Sequence, residues 1–254
     1  MESATIIIPS KHADIFNGCE QSLKTFAPQA PKILIKDGNE IVDPPGWTVI
    51  SGIAPFIFSR NVNLGIKACT GDVLLMNDDV QFRHPNTVEK LQEVMESHPE
   101  VGILSPKVSG LAGNVVCNPN DRITISDKWI AFVCVLIRRS VFEKIGLLDE
   151  TFTGYGEDDV DFCYRAHTAG IKIAITSEVT VNHGHKRQQS TSSFSRRKNF
   201  RDLVLESGKR FAEKWGSAAG IRDWAGSPPP KQVRRVYTNN GLTIDWWSRH
   251  LRRK

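Results

Sequence analysis

The chain is predicted to fold as an α/β domain with a mostly parallel central sheet flanked by helices. Three observations lead there. Short apolar, β-branched runs alternate with helix-compatible segments between residues 5 and 104. Most of these runs stop at Pro, Gly, Asn or Asp, the residues that punctuate strands. Acidic residues gather where the runs end, and ligands collect at that edge of a parallel sheet.

Thr5-Ile6-Ile7-Ile8 is a β-branched run stopped by Pro9-Ser10 and reads as the first buried strand. A helix from about Ala13 to Thr25 follows, with its exit marked by Pro28 to Pro31. Lys32 to Lys36 is the second strand and ends at Asp37-Gly38-Asn39; Trp47 to Ile50 is a short third. Phe58 to Ala68 has helical composition and leads through Gly71 into the strand Val73-Leu74-Leu75-Met76. Thr87 to Ser97 is an amphipathic helix with Val88, Leu91, Val94 and Met95 on one face. Val101 to Leu104 is a strand, Ser105 to Lys128 is loop-rich, and Trp129 to Ile137 is an apolar strand. A short helix, Ser140 to Ile145, precedes a turn at Gly146 to Glu150. Ile171 to Thr176 closes the sheet.

Composition bounds the function. The 254 residues suffice for one substantial core with a small appended segment. No run of about 18 apolar residues exists, so no transmembrane helix is expected. Met1 to Thr5 lacks a basic region ahead of an apolar signal core. Five widely spaced cysteines form neither a metal pattern nor a disulfide framework, which suits a reducing compartment; a cytoplasmic location is expected. Charge is uneven. Residues 185–254 carry 17 Lys and Arg against 5 Asp and Glu, a net of +12 that leaves −7 for residues 1–184. A basic tail of this kind suits a polyanionic partner, either nucleic acid or an anionic membrane or glycan, or it is simply a solvated face.

Two acidic clusters carry the chemistry. Asn77-Asp78-Asp79 ends the Val73–Met76 strand. Adjacent carboxylates at the end of a buried strand are costly unless something positive sits there, and a hard divalent cation such as Mg²⁺ or Mn²⁺ answers that need. An acidic, solvated turn would show the same residues. The second cluster, Gly154-Tyr155-Gly156-Glu157-Asp158-Asp159-Val160-Asp161, reads as a loop entering a helix N-terminus, where the dipole favours carboxylates. Four acids in five positions repel one another, and a carboxylate with a raised pKa is what a general base requires. His183, beyond the last strand, is a candidate further metal ligand.

In this order these stretches resemble the family 2 glycosyltransferases of the GT-A fold. I-I-I-P-S is similar to the family's first strand. S-R-N-V-N-L-G-I-K-A-C-T-G-D-V-L-L-M-N-D-D-V is similar to its sugar-nucleotide segment with an Asp-x-Asp-type motif. L-I-R-R-S-V-F-E-K-I-G-L-L-D-E-T-F resembles the stretch before the catalytic loop, and G-Y-G-E-D-D-V-D-F-C-Y-R the Glu-Asp motif.

The resemblance implies a GT-A type nucleotide-diphospho-sugar transferase fold over residues 1–185, with a donor half of about 1–104 and an acceptor and catalytic half of about 105–185. A basic C-terminal extension, 186–254, follows. It implies an inverting transfer from a nucleoside-diphosphate sugar, UDP-type favoured, with a divalent cation, Mn²⁺ or Mg²⁺, at the diphosphate. Asp79 and His183 are the implied metal ligands, with Asn77 standing where the family pattern has its first Asp. Pro9, Asp37, Arg60, Asn61, Asn77 and Asp78 are the implied donor-binding residues. Counting back from Asp161-Phe162 and Arg165 selects Asp159 as the base and Asp158 as its neighbour. Trp129, Glu157 and Arg165 are assigned to the acceptor. Ala131-Phe132-Val133-Cys134 departs from the family, which commonly has a Gly there, and bulk at that point is expected to reshape the acceptor pocket.

Beyond His185, Gln188 to Ser195 is a polar loop expected over the donor site. Asn199 to Trp215 is an amphipathic helix, Gly226 to Pro230 a linker, and Lys231 to Lys254 a basic tail with Trp246 and Trp247. Basic residues beside tryptophans suit nucleic acid or a membrane interface, so hydroxylated bases in DNA stand beside a glycan or lipid carrier as acceptors. Two other functions fit the sequence less well. Nucleotidyl transfer needs a Gly-rich phosphate loop after the first strand, and Pro9-Ser10-Lys11-His12 offers none. A degenerate domain that only binds nucleic acid or glycan is opposed by the intact acids of both motifs.

Overall fold

The computed structural model describes residues 3–110, 122–126, 128–184 and 200–215. The expected loop over the donor site, the linker and the Trp246–Trp247 tail lie outside them. In chain order the elements are β1 (Thr5–Ser10), α1 (Ala13–Phe26), β2 (Lys32–Lys36), β3 (Thr48–Ser51), α2 (Phe58–Lys67), β4 (Val73–Met76), β5 (Val80–Gln81) and α3 (Thr87–Glu96). They continue with β6 (Val101–Gly110), β7 (Ile123–Ser126), β8 (Cys134–Ile137), α4 (Arg139–Ile145), α5 (Asp158–Thr168), β9 (Lys172–His183) and α6 (Phe200–Trp215).

The strands form one sheet in the order β3-β2-β1-β4-β8-β6-β9-β5, with β7 also paired to β9. β3, β2, β1 and β4 are mutually parallel, and so is the long β6–β9 pair; β8 runs antiparallel between β4 and β6. The alternation of side chains along a strand splits each apolar run between the two faces. Ile6, Ile8, Leu74 and Met76 pack with α1 and α3 residues such as Phe16, Leu23, Val88 and Leu91. Ile7, Val73 and Leu75 pack on the other face with Val62 and Ile66 of α2, Phe162 of α5 and Phe211 of α6.

The expected strand over Trp129–Ile137 is shorter, because residues 131–133 turn before β8 begins at Cys134. The loop-rich middle instead holds the far end of β6 and all of β7. Pro106 obscured the first of these in the sequence. The β6–β9 register slips between Pro106 and Lys107, an irregularity that accommodates a residue unable to donate to the ladder. The last strand likewise runs on past Thr176 to His183.

Helix packs closely on sheet at Gly65 of α2. A Cβ there would stand 2.7 Å from Ile7 Cγ2 and 3.4 Å from Ile35 Cδ1, both in buried strands. Ala is ordinarily about 1 kcal/mol better than Gly inside a helix. Here overpacking should win, and Gly65→Ala is expected to lower unfolding stability by about 1–3 kcal/mol in a urea titration; a stabilised variant would contradict this packing.

Candidate active site

β1, β2 and β4 end side by side, and the acids that follow them meet there. The first strand continues through Ser10, whose buried Oγ donates to Asp78 Oδ2 at 2.6 Å. Asp37 follows β2, its N–H donating to the Ser10 carbonyl at 2.8 Å and its carboxylate facing Lys11 Nζ at 3.6 Å. Pro9 is buried within β1, opposite Ile35. Burial pushes the Asp78 carboxyl up to about 7, against the Ser10 hydrogen bond, which favours the ionised form; Asp79 adds repulsion.

Asp79 and His183 come together through the edge of the sheet. β5 pairs with the end of β9, Val80 opposite His183, and the Gly184 N–H donates to the Asp79 carbonyl at 3.0 Å. His183 Nε2 consequently lies 3.2 Å from Asp79 Oδ1, with both side chains mostly but not fully buried. Gly110, at φ +107°, closes the other side: a Cβ there would fall 2.3 Å from the His183 carbonyl oxygen. One carboxylate and one imidazole suit a divalent cation that keeps open positions for phosphate oxygens and water. Among the described residues no group of three or more His, Cys, Asp or Glu could hold a metal by itself. The donor set thus fits a cation shared with a diphosphate, not a closed protein cage. Asn77 is fixed by its backbone, N–H to the Val133 carbonyl at 2.9 Å.

The second acidic cluster adjoins the first through residues 131–133. While Val133 receives the Asn77 amide, the Phe132 backbone hydrogen-bonds Asp159. Asp159 Oδ1 also accepts from the Val160 N–H at 2.8 Å, and the residue is partly exposed. Burial, reinforced by Asp158 and Glu157, raises the Asp159 pKa well above the usual carboxylate range; burial raises that of Asp158 as well. Glu157 is buried in the left-handed region, φ +70°, a conformation that costs a non-glycine residue of order 1–3 kcal/mol and concentrates at functional sites. Phe132 and Val133 are buried in the two cores, Phe132 against Phe162 at 5.7 Å between ring centroids. Their bulk goes into packing.

Other expected residues serve neighbouring structure. Asn61 is buried: its Nδ2 donates to the Ile57 carbonyl at 3.0 Å and its Oδ1 accepts from the Ile53 N–H at 2.7 Å, so it holds the loop before α2. Arg60 donates from Nη2 to the carbonyls of Ile53 and Pro55. Trp129 is half-buried against the α5 side of the core. Arg165, expected at the acceptor, has a guanidinium that bonds Asp161 Oδ2 at 2.9 Å, Ile145 O at 2.6 Å and Leu147 O at 2.9 Å, bracing the turn before the acidic loop.

Sequence reasoning missed two features. Ser10 reads as a strand stop, although it continues the Ile6, Ile8 alternation. Asp161 reads as one acid among four, although its spacing to Arg165 is that of a helical ion pair. Its buried carboxylate also receives Lys214 Nζ and Trp215 Nε1 of α6, each at 2.7 Å.

Residues 49–204 match the family model described as "Glycosyltransferase like family 2". The chain belongs to that family. Among curated relatives it is 37% identical over 184 residues to the low-salt glycan biosynthesis hexosyltransferase Agl10 of Haloferax volcanii, covering 61% of this chain and 58% of that protein. It is 27% identical over 226 residues to the O-antigen biosynthesis protein RfbC of Myxococcus xanthus, covering 78% of this chain and 16% of that protein. The chain thus spans less than two thirds of either relative. Its fold is that of GT-A glycosyltransferase structures. The mannosyltransferase PcManGT of Pyrobaculum calidifontis, solved with GDP-Man and Mn²⁺, aligns with a TM-score of 0.60 at 12% identity, over 88% of this chain and 68% of that one. GalNAc-T7, solved with UDP, GalNAc and Mn²⁺, aligns with a TM-score of 0.66 at 12% identity, over all of this chain and 57% of that one. Both likenesses are of fold. Among the described residues no helix is long and apolar enough to cross a membrane.

Crowding of acids in this family 2 domain has a measurable cost. A carboxyl whose pKa is raised on folding holds its proton more tightly folded than unfolded, so it lowers stability as pH rises above the unfolded value. Asp159→Asn should therefore raise the thermal midpoint at about pH 8 and leave it nearly unchanged at about pH 3, in scanning calorimetry at both values. A lower midpoint at pH 8 would contradict the raised pKa.

Proposed function

We propose that this chain is a divalent-cation-dependent, inverting glycosyltransferase that moves a sugar from a nucleoside diphosphate, UDP-type favoured, to an acceptor hydroxyl. One observation carries the reading: residues 131–133 hydrogen-bond both acidic clusters, so a cation-suited pair and a carboxylate of raised pKa adjoin one another.

In this reading Asp79 and His183 hold the cation, and the mixed carboxylate–imidazole set favours Mn²⁺ over Mg²⁺. When bound, the cation supplies neutralisation of the charge that develops on the departing diphosphate. Asp78, fixed by Ser10, faces the sugar or ribose, and Asp37 contacts the nucleobase. Arg60 and Asn61 contribute by holding the loop at Ile53. Asp159 accepts the acceptor hydroxyl's proton as that oxygen attacks the anomeric carbon and the carbon–diphosphate bond breaks on the opposite face. Its raised pKa lets it hold a proton it has taken, while Asp158 and Glu157 maintain the field that raises it. Trp129 and Glu157 border the acceptor.

The relatives' names, a glycan hexosyltransferase and an O-antigen biosynthesis protein, support a glycan hydroxyl as acceptor. A DNA acceptor is supported only by the net +12 of residues 185–254 and the tryptophans near their end.

Hydrolysis of UDP- and GDP-sugars, with water as acceptor, tests the reading without the natural acceptor. Turnover should require Mn²⁺ and fall by about 10²–10⁴-fold in Asp159→Asn. In Asp79→Ala and His183→Ala the Mn²⁺ needed for half-maximal rate should rise at least about tenfold. Undiminished turnover in Asp159→Asn would sink the base assignment.

A further inference from the structure

α6 bonds both ends of the acidic stretch, Thr153 to Tyr155 at one and Asp161 at the other. Gly154 sits directly against the helix: a Cβ there would fall 2.0 Å from Leu203 O and 2.7 Å from Ser207 Oγ. The Tyr155 N–H donates to the same Leu203 carbonyl at 2.9 Å, and Thr153 Oγ1 bonds Glu206. At the other end of α6 two consecutive residues converge on Asp161 in the first turn of α5. Lys214 Nζ and Trp215 Nε1 both reach Asp161 Oδ1, while Asp161 Oδ2 is bound by Arg165.

Lys214 also reaches Asp149 Oδ2 at 2.7 Å, and Arg210 bonds Thr151 Oγ1 at 2.6 Å. Burial alone would raise the Asp149 pKa, but hydrogen bonds from Lys214 and Thr151 hold it at about 2, so this anchor stays ionised near neutrality. The Trp215 ring stands edge-on to Tyr164 at 4.7 Å and fixes the indole that donates to Asp161. Packing of an amphipathic helix needs only its apolar face. Here the polar bonds are directed at the loop and turn that carry Glu157, Asp158 and Asp159.

We propose that α6 is a positioning element of the transfer site, in which Lys214 and Trp215, acting through Asp161, hold the first turn of α5 so that Asp159 meets the acceptor. The inference rests on the transferase reading. It places α6 with the catalytic half of the chain and makes Lys214 and Trp215 positioning residues that touch neither donor nor cation. Removing them should leave donor affinity intact and lower the rate of the chemical step.

The test compares Lys214→Met and Trp215→Phe with Lys214→Arg and with Lys209→Met, a control at an exposed site on α6. Backbone hydrogen exchange is followed with Mn²⁺ and UDP- or GDP-sugar hydrolysis. In Lys214→Met and Trp215→Phe, exchange should rise at least about tenfold over residues 153–165 and stay unchanged in β1 and β4. kcat should fall by about 10- to 100-fold with KM for the nucleotide sugar within about twofold of wild type. Lys214→Arg should recover most of kcat, and Lys209→Met should match wild type. Unchanged kcat, or loosening spread evenly over the sheet with kcat and KM altered together, would overturn the proposal. If the wild type hydrolyses none of the sugars, the transferase reading fails by itself. The exchange arm still decides the clamp: loosening confined to 153–165 supports it, and its absence overturns it.

Discussion

The buried carboxylate of Asp161 is the constraint on which the acidic edge depends. An ionised carboxylate removed from water is tolerated only when paired and hydrogen-bonded. Asp161 meets that demand with a guanidinium from its own helix and an ammonium and an indole from α6. Removing one partner from such a group typically costs about 3–5 kcal/mol, because the charge left behind is uncompensated. The same bonds tie together the turn at Ile145–Leu147, the first turn of α5 and the end of α6. Glu157 stands at the entrance to that turn, in a left-handed conformation.

Beside Asp161, each remaining acid is treated differently. Asp149 is compensated by Lys214 and Thr151, and its pKa is pulled down. Asp79 faces His183, and Asp78 has the Ser10 hydroxyl. Burial, with the acidic neighbours, raises the pKa values of Asp158 and Asp159 against the backbone hydrogen bonds that favour their ionised forms. Two residues on one helical turn differ in their partners: Asp161 takes a guanidinium, an ammonium and an indole, and Asp159 takes backbone hydrogen bonds beside two further acids.

Much of this was legible in the sequence because it is local. β1, β2 and β4 declare themselves as apolar runs, and the acids that follow them stand at strand ends. α5 and α6 follow from periodicity, and family 2 membership follows from ordered motifs. What escaped is set by partners distant in the chain. Ser10 looks like punctuation until Asp78, 68 residues on, takes its hydroxyl. Arg165 looks available for a ligand until the carbonyls of Ile145 and Leu147 occupy it. The length of β6 was hidden by Pro106, which only the register slip against β9 makes admissible. The amphipathic face of α6 is visible in its sequence; the acids that Lys214 meets are not.

The asymmetry between Asn77 and Asp79 also acquires a physical meaning. Had Asn77 been a carboxylate, the strand end would carry three adjacent carboxyl groups, the middle one being the buried Asp78 already raised to about 7. An amide at that position relieves the repulsion and leaves one carboxylate, Asp79, to meet His183. That meeting is built by backbone: β5 pairs with β9, and Gly110 brings β6 too close to His183 for any side chain. In the proposed reading Asp79 and His183 would hold the cation and leave the rest of its coordination to the nucleotide sugar, so that each would raise the affinity of the site for the other.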